Sequence, residues 1–250
     1  MTLRFLLPLL SALLLADPAG AAAPGDTSLQ IEQRHWKLVS ERDGIQVYMA
    51  HNDDSRIKTF RGVTVMEYED FYSPIAILDD EEYLPRWLYL IREVHELRRR
   101  SPVDRDYQMV TKLPWPVADR DAGLHFRIQQ DPQTAAIRID FRSRDGILPP
   151  NPDYVRIPEM VGHFSSVPIG DRKVQVSFEV LLDPGGYIPA FMANFILKDI
   201  PYQSLQRFRR IVNEDRFRGY YVDYLNIPEP WASLPPIPRS PILPSRRQVQ

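Results

Sequence analysis

Cysteine is missing from the 250 residues of this chain. Its absence excludes disulfide frameworks, thiolate metal sites, cysteine nucleophiles and a lipid-modified N-terminal cysteine. A strong excess of charge of either sign is also missing, because the formal net charge is only −2. Nucleic acid is therefore not expected as the main partner, since proteins that bind it normally carry a strongly basic surface.

Recognisable catalytic and cofactor motifs are absent as well. The chain has no G-x-S-x-G nucleophile elbow, no P-loop and no G-x-G-x-x-G. Its five histidines are scattered without metal-ligand spacing. The acidic run 79–82 stands among helix-terminus signals, so we expect a solvated helix cap rather than a cation site. We therefore expect no metal and no cofactor, and the sequence favours binding over catalysis.

The apolar run at the N-terminus, residues 5–16, is too short to span a bilayer, since a transmembrane helix needs about 20 residues. Arg4 precedes this run, and Ala19-Gly20-Ala21 offers a small-residue cleavage site. We interpret residues 1–25 as a secretory signal peptide, with an uncleaved anchor as the alternative. The mature protein is accordingly expected to be periplasmic or secreted.

Residues 26–225 are predicted to form one α+β domain, because no linker composition interrupts them. A helix is predicted over 27–41, a hairpin with strands at 45–49 and 57–66, and proline-broken helices over 67–89. About six further strands follow, separated by turn signals. They are predicted over 90–99, 106–113, 122–130, 135–144, 160–167 and 173–182.

Three of these strands alternate cleanly between apolar and polar residues. In the strand predicted over 122–130, Leu124, Phe126 and Ile128 share one face, and polar residues occupy the other. The same period of two runs through 135–144 and 173–182. The pattern predicts an antiparallel sheet with one dry face and one wet face.

The longest helical pattern covers residues 188–212. At about 100° per residue, one face of it is wholly apolar and bulky. Pro201 is expected to bend or restart this helix, because proline cannot donate a helical hydrogen bond. The residues on the apolar face are Ile188, Phe191, Met192 and Phe195.

Residues 226–250 are rich in proline, which precludes a regular helix or a central strand. We predict a polyproline-like or disordered tail. The alternative is a ligand for the groove of a partner protein, with Trp231 as its anchor.

Four short stretches carry a recognisable pattern: Trp36 with 43–48 (DGIQVY), 84–87 (LPRW), 114–121 (PWPVADRD), and 183–191 (DPGGYIPAF) with 198–202 (KDIPY). They resemble motifs of the StAR-related lipid transfer (START) family. Each stretch is short, but the four follow the family's order between residues 36 and 212. The resemblance implies a helix-grip fold of the START/Bet v 1-like kind, in which a curved antiparallel β-sheet wraps around a long C-terminal α-helix.

The resemblance also implies an internal apolar tunnel that binds one lipid or sterol-like molecule and is gated by the C-terminal helix. Contacts to the ligand are then expected from this helix and from the strands that face it. The expected ligand-binding residues are Trp87, Met109, Thr111, Leu124, Phe126, Ile139, Phe141, Val176, Phe178, Ile188, Phe191, Met192, Phe195 and Asp199.

One departure from the family concerns sterols. Cholesterol-binding members carry a buried acid–arginine pair on adjacent central strands, whereas the matching positions here hold Thr111 and Phe126. A more apolar ligand is therefore expected. Thr111 or Asp199 remains available for a polar headgroup, although we expect Asp199 to cap a half-helix that begins at Pro201.

Arg120 and Asp121, in the third motif, are expected to form an ion pair that fixes the start of the following strand. A contact at the mouth of the tunnel is the alternative role for these two residues.

Two functions compete for the implied cavity. The first is non-catalytic carriage of one hydrophobic molecule, with hinges at Gly185-Gly186 and Pro201 and a transient contact between helix arginines and the membrane surface. The alternative is an enzyme, a cyclase or hydrolase, which needs a polar group with a perturbed pKa in the cavity, such as His95, Asp199 or Tyr202. The arginines considered are Arg207, Arg209, Arg210, Arg216 and Arg218.

Overall fold

A computed structural model describes residues 35–51, 58–188 and 190–233, without the side chains of residues 51 and 190–197. The predicted signal peptide, the first part of the predicted N-terminal helix and most of the proline-rich tail lie outside these ranges. None of the helices within them is both long enough and apolar enough to cross a bilayer.

The described residues form ten strands and three α-helices. The strands are β1 Trp36–Arg42, β2 Ile45–His51, β3 Lys58–Glu67, β4 Ile91–Ser101, β5 Asp104–Thr111, β6 Arg120–Gln130, β7 Ile137–Ser143, β8 Val155–Arg156, β9 Glu159–Gly170 and β10 Lys173–Asp183. The helices are α1 Ser73–Leu78, α2 Leu84–Trp87 and α3 Ala190–Ile211, and two short 3₁₀ turns follow at Asp215–Phe217 and Trp231–Ser233.

The strands form one sheet in the order β1-β2-β3-β10-β9-β7-β6-β5-β4. Neighbours along this path are antiparallel, and the two-residue β8 pairs in parallel with β6. The chain crosses from β3 to the far edge of the sheet through α1 and α2, then returns strand by strand to pair β10 with β3. The predicted α+β class with a large antiparallel sheet is confirmed.

The alternation of apolar and polar residues in the sequence identifies the residues on the dry face of the sheet. In the β6–β7 ladder, Phe126 pairs with Phe141 and Ile128 with Ile139, and all four side chains are buried. Because side chains alternate along a strand, the residues between them point to the outer face. There Arg138 forms an ion pair with Asp140 on the same strand at 2.7 Å.

Helix α3 packs against the dry face of the sheet at Gly62, a residue without a side chain. A Cβ atom at Gly62 of β3 would lie 2.8 Å from Leu205 and 3.0 Å from Pro201, so only glycine allows the helix this close. Pro201 neither ends nor restarts the helix, which runs unbroken from Ala190 to Ile211. The predicted restart at Pro201 is therefore wrong, and the proline ring lies directly against Gly62.

The predicted helix over residues 27–41 is wrong in the part that the structure describes. Residues from Trp36 onward form β1, which pairs with β2 as the edge strand of the sheet. Trp36 lies beneath the guanidinium of Arg61, with the guanidinium carbon 4.1 Å from the ring centroid. Val39 on β1 is 38% exposed.

Prolines in the segment 67–89 begin helices rather than break them. Pro74 and Pro85 occupy the first turns of α1 and α2, where the missing N–H costs nothing. The acidic run after α1 is not the solvated cap that we expected. Asp80 is 2% exposed and pairs with Arg216, which belongs to the chain beyond α3.

Asp79 joins a second ion pair, with the buried Arg105. Its carboxylate accepts a hydrogen bond from the Arg105 guanidinium, and Arg105 is only 1% exposed. Arg105 also donates to the carbonyl of Pro102 and to the hydroxyl of Tyr107. Residues far apart in sequence thus neutralise the acidic run, which no local pattern could indicate.

The chain after residue 226 packs against the core at Trp231. Trp231 is 6% exposed, its ring centroid lies 5.4 Å from that of Phe71, and its indole donates a 2.9 Å hydrogen bond to the carbonyl of Tyr68. Trp231 is therefore an anchor to the chain's own core, and the alternative role, as anchor for a partner groove, is wrong.

Candidate ligand-binding site

A cavity of about 80 Å³ lies between the dry face of the sheet and the helices. Its wall is formed by α1, α2 and α3 on one side and by strands β4 to β7, β9 and β10 on the other. The residues that line it are Pro74, Leu78, Leu84, Trp87, Leu88, Tyr89, Ile91, Met109, Thr111, Leu124, Phe126, Ile139, Phe141, Met160, Phe164, Phe178, Val180, Leu182, Ile200, Ser204 and Phe208.

Aromatic rings from separate strands form much of the wall. Phe126 and Phe141 stack across the β6–β7 ladder with centroids 5.7 Å apart, and Phe178 of β10 follows 6.1 Å from Phe141. These rings come together because each occupies an inward position of its own strand. Such stacked and tilted pairs stabilise the wall beyond their burial.

Trp87 closes the cavity from the helical side. Its ring meets Phe208 of α3, Phe164 of β9 and Phe178 of β10 edge to face, with centroids 5.1, 5.7 and 6.1 Å away. The short helix α2 therefore joins α3 to the sheet through one indole. Trp87 is 7% exposed.

Helix α3 contributes a stripe with the spacing i, i+4, i+8, namely Ile200, Ser204 and Phe208. Its C-terminal half is firmly anchored, since Leu205 and Phe208 are at most 1% exposed. The predicted ligand contacts on its N-terminal half have side chains outside the described part of the structure. Those residues are Phe191, Met192 and Phe195.

Polar groups are sparse in the wall. Ser204 uses its hydroxyl oxygen to accept a 3.0 Å hydrogen bond from the backbone N–H of Tyr89. The Trp87 indole nitrogen is buried without a hydrogen-bond partner, and Thr111 adds one half-buried hydroxyl. Among the described lining residues there is no carboxylate, histidine, lysine or arginine. The cavity can therefore enclose an apolar group, but its described wall offers no charged side chain to bind a charged group.

Eight of the fourteen predicted ligand-binding residues lie in this wall. Others in the wall were not predicted, although the period of two that selected Phe178 also selects Val180 and Leu182 on the same strand. The eight are Trp87, Met109, Thr111, Leu124, Phe126, Ile139, Phe141 and Phe178. The ones missed are Pro74, Leu78, Leu84, Leu88, Tyr89, Ile91, Met160, Phe164, Val180, Leu182, Ile200, Ser204 and Phe208.

Val176 is buried but does not line the cavity, contrary to expectation. It lies on β10 opposite Ser166 of β9, whose hydroxyl forms a 2.9 Å hydrogen bond with that of Tyr68. The wholly buried Tyr68 fills this end of the sheet. Ile188, two residues before α3, is half-buried and is likewise absent from the described lining.

Asp199 points away from the cavity to the turn between β1 and β2. It lies inside α3 and pairs with Arg42 at 3.1 Å, so the predicted capping role is wrong. The Arg42 guanidinium carbon also lies 3.9 Å from the ring centroid of Tyr202. The Tyr202 hydroxyl donates a 2.6 Å hydrogen bond to Asp43, and this bond raises the pKa of Tyr202.

Arg120 and Asp121 have separate partners instead of the predicted mutual ion pair. Asp121 pairs with Arg156 at 2.7 Å. Arg120 is 2% exposed and donates 3.4 Å hydrogen bonds to the carbonyls of Pro184 and Gly185, and another to that of Ala118. Side chains of adjacent strand residues point in opposite directions, so the two neighbours reach different loops. Arg120 thereby ties the loop before β6 to the loop before α3.

An external groove adjoins the cavity. Tyr89 and Ile91 line both, so the groove and the cavity lie side by side. The Arg207 guanidinium carbon lies 5.0 Å from the ring centroid of Tyr89. The groove is lined by Tyr89, Leu90, Ile91, Arg92, Lys112, Leu113, Pro114 and Arg207.

The polar residues proposed for catalysis do not meet at the cavity. The His95 side chain is 57% exposed on β4, and Asp199 and Tyr202 are bound to the β1–β2 turn. Within residues 35–51, 58–188 and 190–233, no group of acidic or histidine side chains is arranged to hold a metal ion.

Known proteins resemble this chain in sequence and in fold, although no protein-family model matches it. An uncharacterized protein of Pseudomonas aeruginosa is 28% identical over 174 residues, which cover 70% of this chain and 85% of that protein. A STAR-related lipid transfer protein fragment from Xanthomonas axonopodis superposes with a TM-score of 0.65 at 25% identity, covering 71% of this chain and 98% of that one. Human STARD10 superposes with a TM-score of 0.62 at 17% identity, covering 78% and 82% of the two chains.

The sheet order, the long helix against the dry face and the enclosed apolar cavity agree with the resemblance that four short motifs carried. This chain has the helix-grip fold of START domains.

Proposed function

We propose that the protein binds one lipid or similarly hydrophobic molecule in the cavity and carries it between membranes without changing it chemically. The observation that carries this proposal is the wall itself, in which the described residues are almost entirely apolar and uncharged. The similarity to a bacterial lipid transfer protein supports it. The competing enzyme is not advanced, because its candidate groups lie away from the cavity.

The energetics favour carriage by enclosure. Moving an acyl chain into water costs about 0.8 kcal/mol per methylene, or roughly 13 kcal/mol for sixteen carbons. An apolar wall offsets most of this cost. Transfer from a bilayer into the protein is then nearly balanced, whereas transfer through free solution is prohibitively slow.

Loading requires the cavity to widen. Its volume of about 80 Å³ is below the range of roughly 300–1,000 Å³ that ligand pockets occupy. Met109 and Met160 are flexible wall residues that can change rotamer around a guest. Larger movement requires α3 to separate from the sheet, with hinges at Gly185-Gly186 and at Pro201.

Native mass spectrometry of protein purified from a bacterial periplasm tests carriage. We expect an added mass that disappears when the protein is unfolded, together with transfer of a fluorescent lipid between two vesicle populations. Protein that is free of ligand, accepts no hydrophobic probe and transfers no lipid would contradict the proposal.

The proposed compartment is the periplasm or the exterior, after removal of residues 1–25. The intact mass of the secreted protein measures this directly, since cleavage after Ala21 or near it shortens the chain by a defined amount. A full-length mass in the cytoplasmic fraction would contradict it.

The proposed membrane contact is the pair of loops that Arg120 joins. Trp115 is 90% exposed in the loop before β6, and Tyr187 is 85% exposed in the loop before α3. Such amphipathic rings favour the boundary between water and lipid. Lys112 and Arg207 in the neighbouring groove offer positive charge to anionic headgroups.

Three of the other arginines considered for this role are engaged elsewhere. Arg209 donates to the carbonyl of Asp43, Arg216 pairs with Asp80, and Arg218 pairs with Glu69. Arg207 lines the groove, and we therefore propose it as the helix arginine that meets the headgroups.

Flotation with phosphatidylcholine vesicles containing phosphatidylglycerol tests the contact. Trp115→Ser should reduce the bound fraction, whereas Leu97→Ser, at a 43% exposed position on β4, should not. Equal binding by both variants and the parent protein would exclude these loops as the contact.

A further inference from the structure

The indole N–H of Trp87 is a hydrogen-bond donor left unused in the wall of the cavity. Trp87 is 7% exposed, and its Nε1 atom is buried without any partner. A buried donor without a partner is destabilising, and buried indoles normally find one. The ring nevertheless stands among Phe164, Phe178 and Phe208, none of which offers an oxygen.

Three side chains with hydroxyl groups line the cavity together with Trp87, namely Tyr89, Thr111 and Ser204. Thr111 is half-buried in the wall. Ser204 already accepts a hydrogen bond from the Tyr89 N–H, which leaves its own proton to donate. The described lining contains no cation to neutralise an anion.

We propose that Trp87 determines ligand specificity by donating a hydrogen bond to an uncharged acceptor oxygen, such as that of a ketone or an ester, within the buried part of the ligand. This inference rests on the proposed function and narrows its class of ligand. A pure hydrocarbon would leave the N–H unpaired, and an ionised carboxylate would be buried without a counter-charge.

Affinities for matched probes test the hydrogen bond. Tridecane, 2-tridecanone and 7-tridecanone share one carbon skeleton length and differ by a single carbonyl group, and tridecanoate supplies the charged comparison. In Trp87→Phe, the affinity for at least one ketone should fall by about 5-fold relative to tridecane. Each probe has the same solvation free energy whether it is titrated into the parent or into Trp87→Phe. The change in the ratio of ketone affinity to tridecane affinity between the two proteins therefore reports the contact with Trp87.

Trp36→Phe is the matched control. The indole nitrogen of Trp36 is also buried without a partner, yet Trp36 lies beneath Arg61 and does not line the cavity. Its replacement should leave the ratio of ketone to tridecane affinity within about twofold of the parent value.

Indole N–H signals in nuclear magnetic resonance spectra give a second readout on the unmodified protein. This readout tests the hydrogen bond even if Trp87→Phe does not fold. The ketones should displace the Trp87 signal downfield, and tridecane should not. The proposal is overturned if all probes displace it equally, if the ratio is unchanged in Trp87→Phe, or if tridecanoate binds as tightly as the ketones. In these three cases carriage stands, whereas failure of every probe to bind the parent overturns carriage as well.

Discussion

Filling the cavity from its wall should abolish ligand binding while preserving the fold. Val180 of β10 is 4% exposed and lines the cavity, and Val180→Phe adds four carbon atoms at this position. In a filled core such overpacking costs about 1–3 kcal/mol. Beside a void of about 80 Å³ we expect the ring to enter the space and the free energy of unfolding to change by less than about 1 kcal/mol.

The same ring should displace the ligand. At about 0.8 kcal/mol per buried methylene, four displaced carbons correspond to about 3 kcal/mol, or on the order of a 100-fold loss of affinity. Tridecane titration by calorimetry measures this loss, and urea unfolding measures the stability. Val65→Phe, on the outer face of β3 at a 50% exposed position, is the matched control and should bind normally. A folded Val180→Phe protein with the parent affinity would refute the assignment of this cavity as the site.

Three further predictions concern ionic groups. Arg105→Met should lower the free energy of unfolding by about 3 kcal/mol in urea, because it leaves the Asp79 carboxylate without its buried partner. Burial, reinforced by two nearby arginines, lowers the pKa of His163 to about 3. The unfolded chain then binds a proton that the folded chain does not, so stability should fall as the pH is lowered from about 6.5 toward 3, and His163→Gln should flatten this decline in acid titrations. Asp199→Asn removes the ion pair with Arg42 that holds α3 to the β1–β2 turn. It should speed lipid exchange between vesicles by about 2- to 5-fold, since a partly exposed pair contributes up to about 1 kcal/mol.

Each of these predictions has a result that would contradict it. Arg98→Met, at an exposed position on β4, should change stability by less than about 0.5 kcal/mol, so equal effects of Arg98→Met and Arg105→Met would argue against a buried pair. An unchanged acid profile in His163→Gln would assign the proton uptake to other groups. Exchange in Asp199→Asn at the parent rate would show that the turn does not restrain the helix.

Hydrophobic periodicity was sufficient to predict most of the secondary structure. The period of two selected the inward residues of β6, β7 and β10, and Phe126, Phe141 and Phe178 indeed face the cavity. Where tertiary pairing overrode local pattern, the prediction failed. Residues from Trp36 onward form an edge strand because β2 supplies hydrogen bonds to them, and Pro201 remains inside α3 because Gly62 leaves room for it.

By itself, then, the sequence determined the fold class, the dry face of the sheet and the absence of thiol chemistry, because these depend on composition and on residues close together along the chain. Only the tertiary structure decided the partners of the charged groups, such as Asp199 with Arg42 and Asp121 with Arg156. It also decided that the indole of Trp87 stands unpartnered among three rings. These outcomes depend on which distant segments the sheet order brings together, and no local period carries that information.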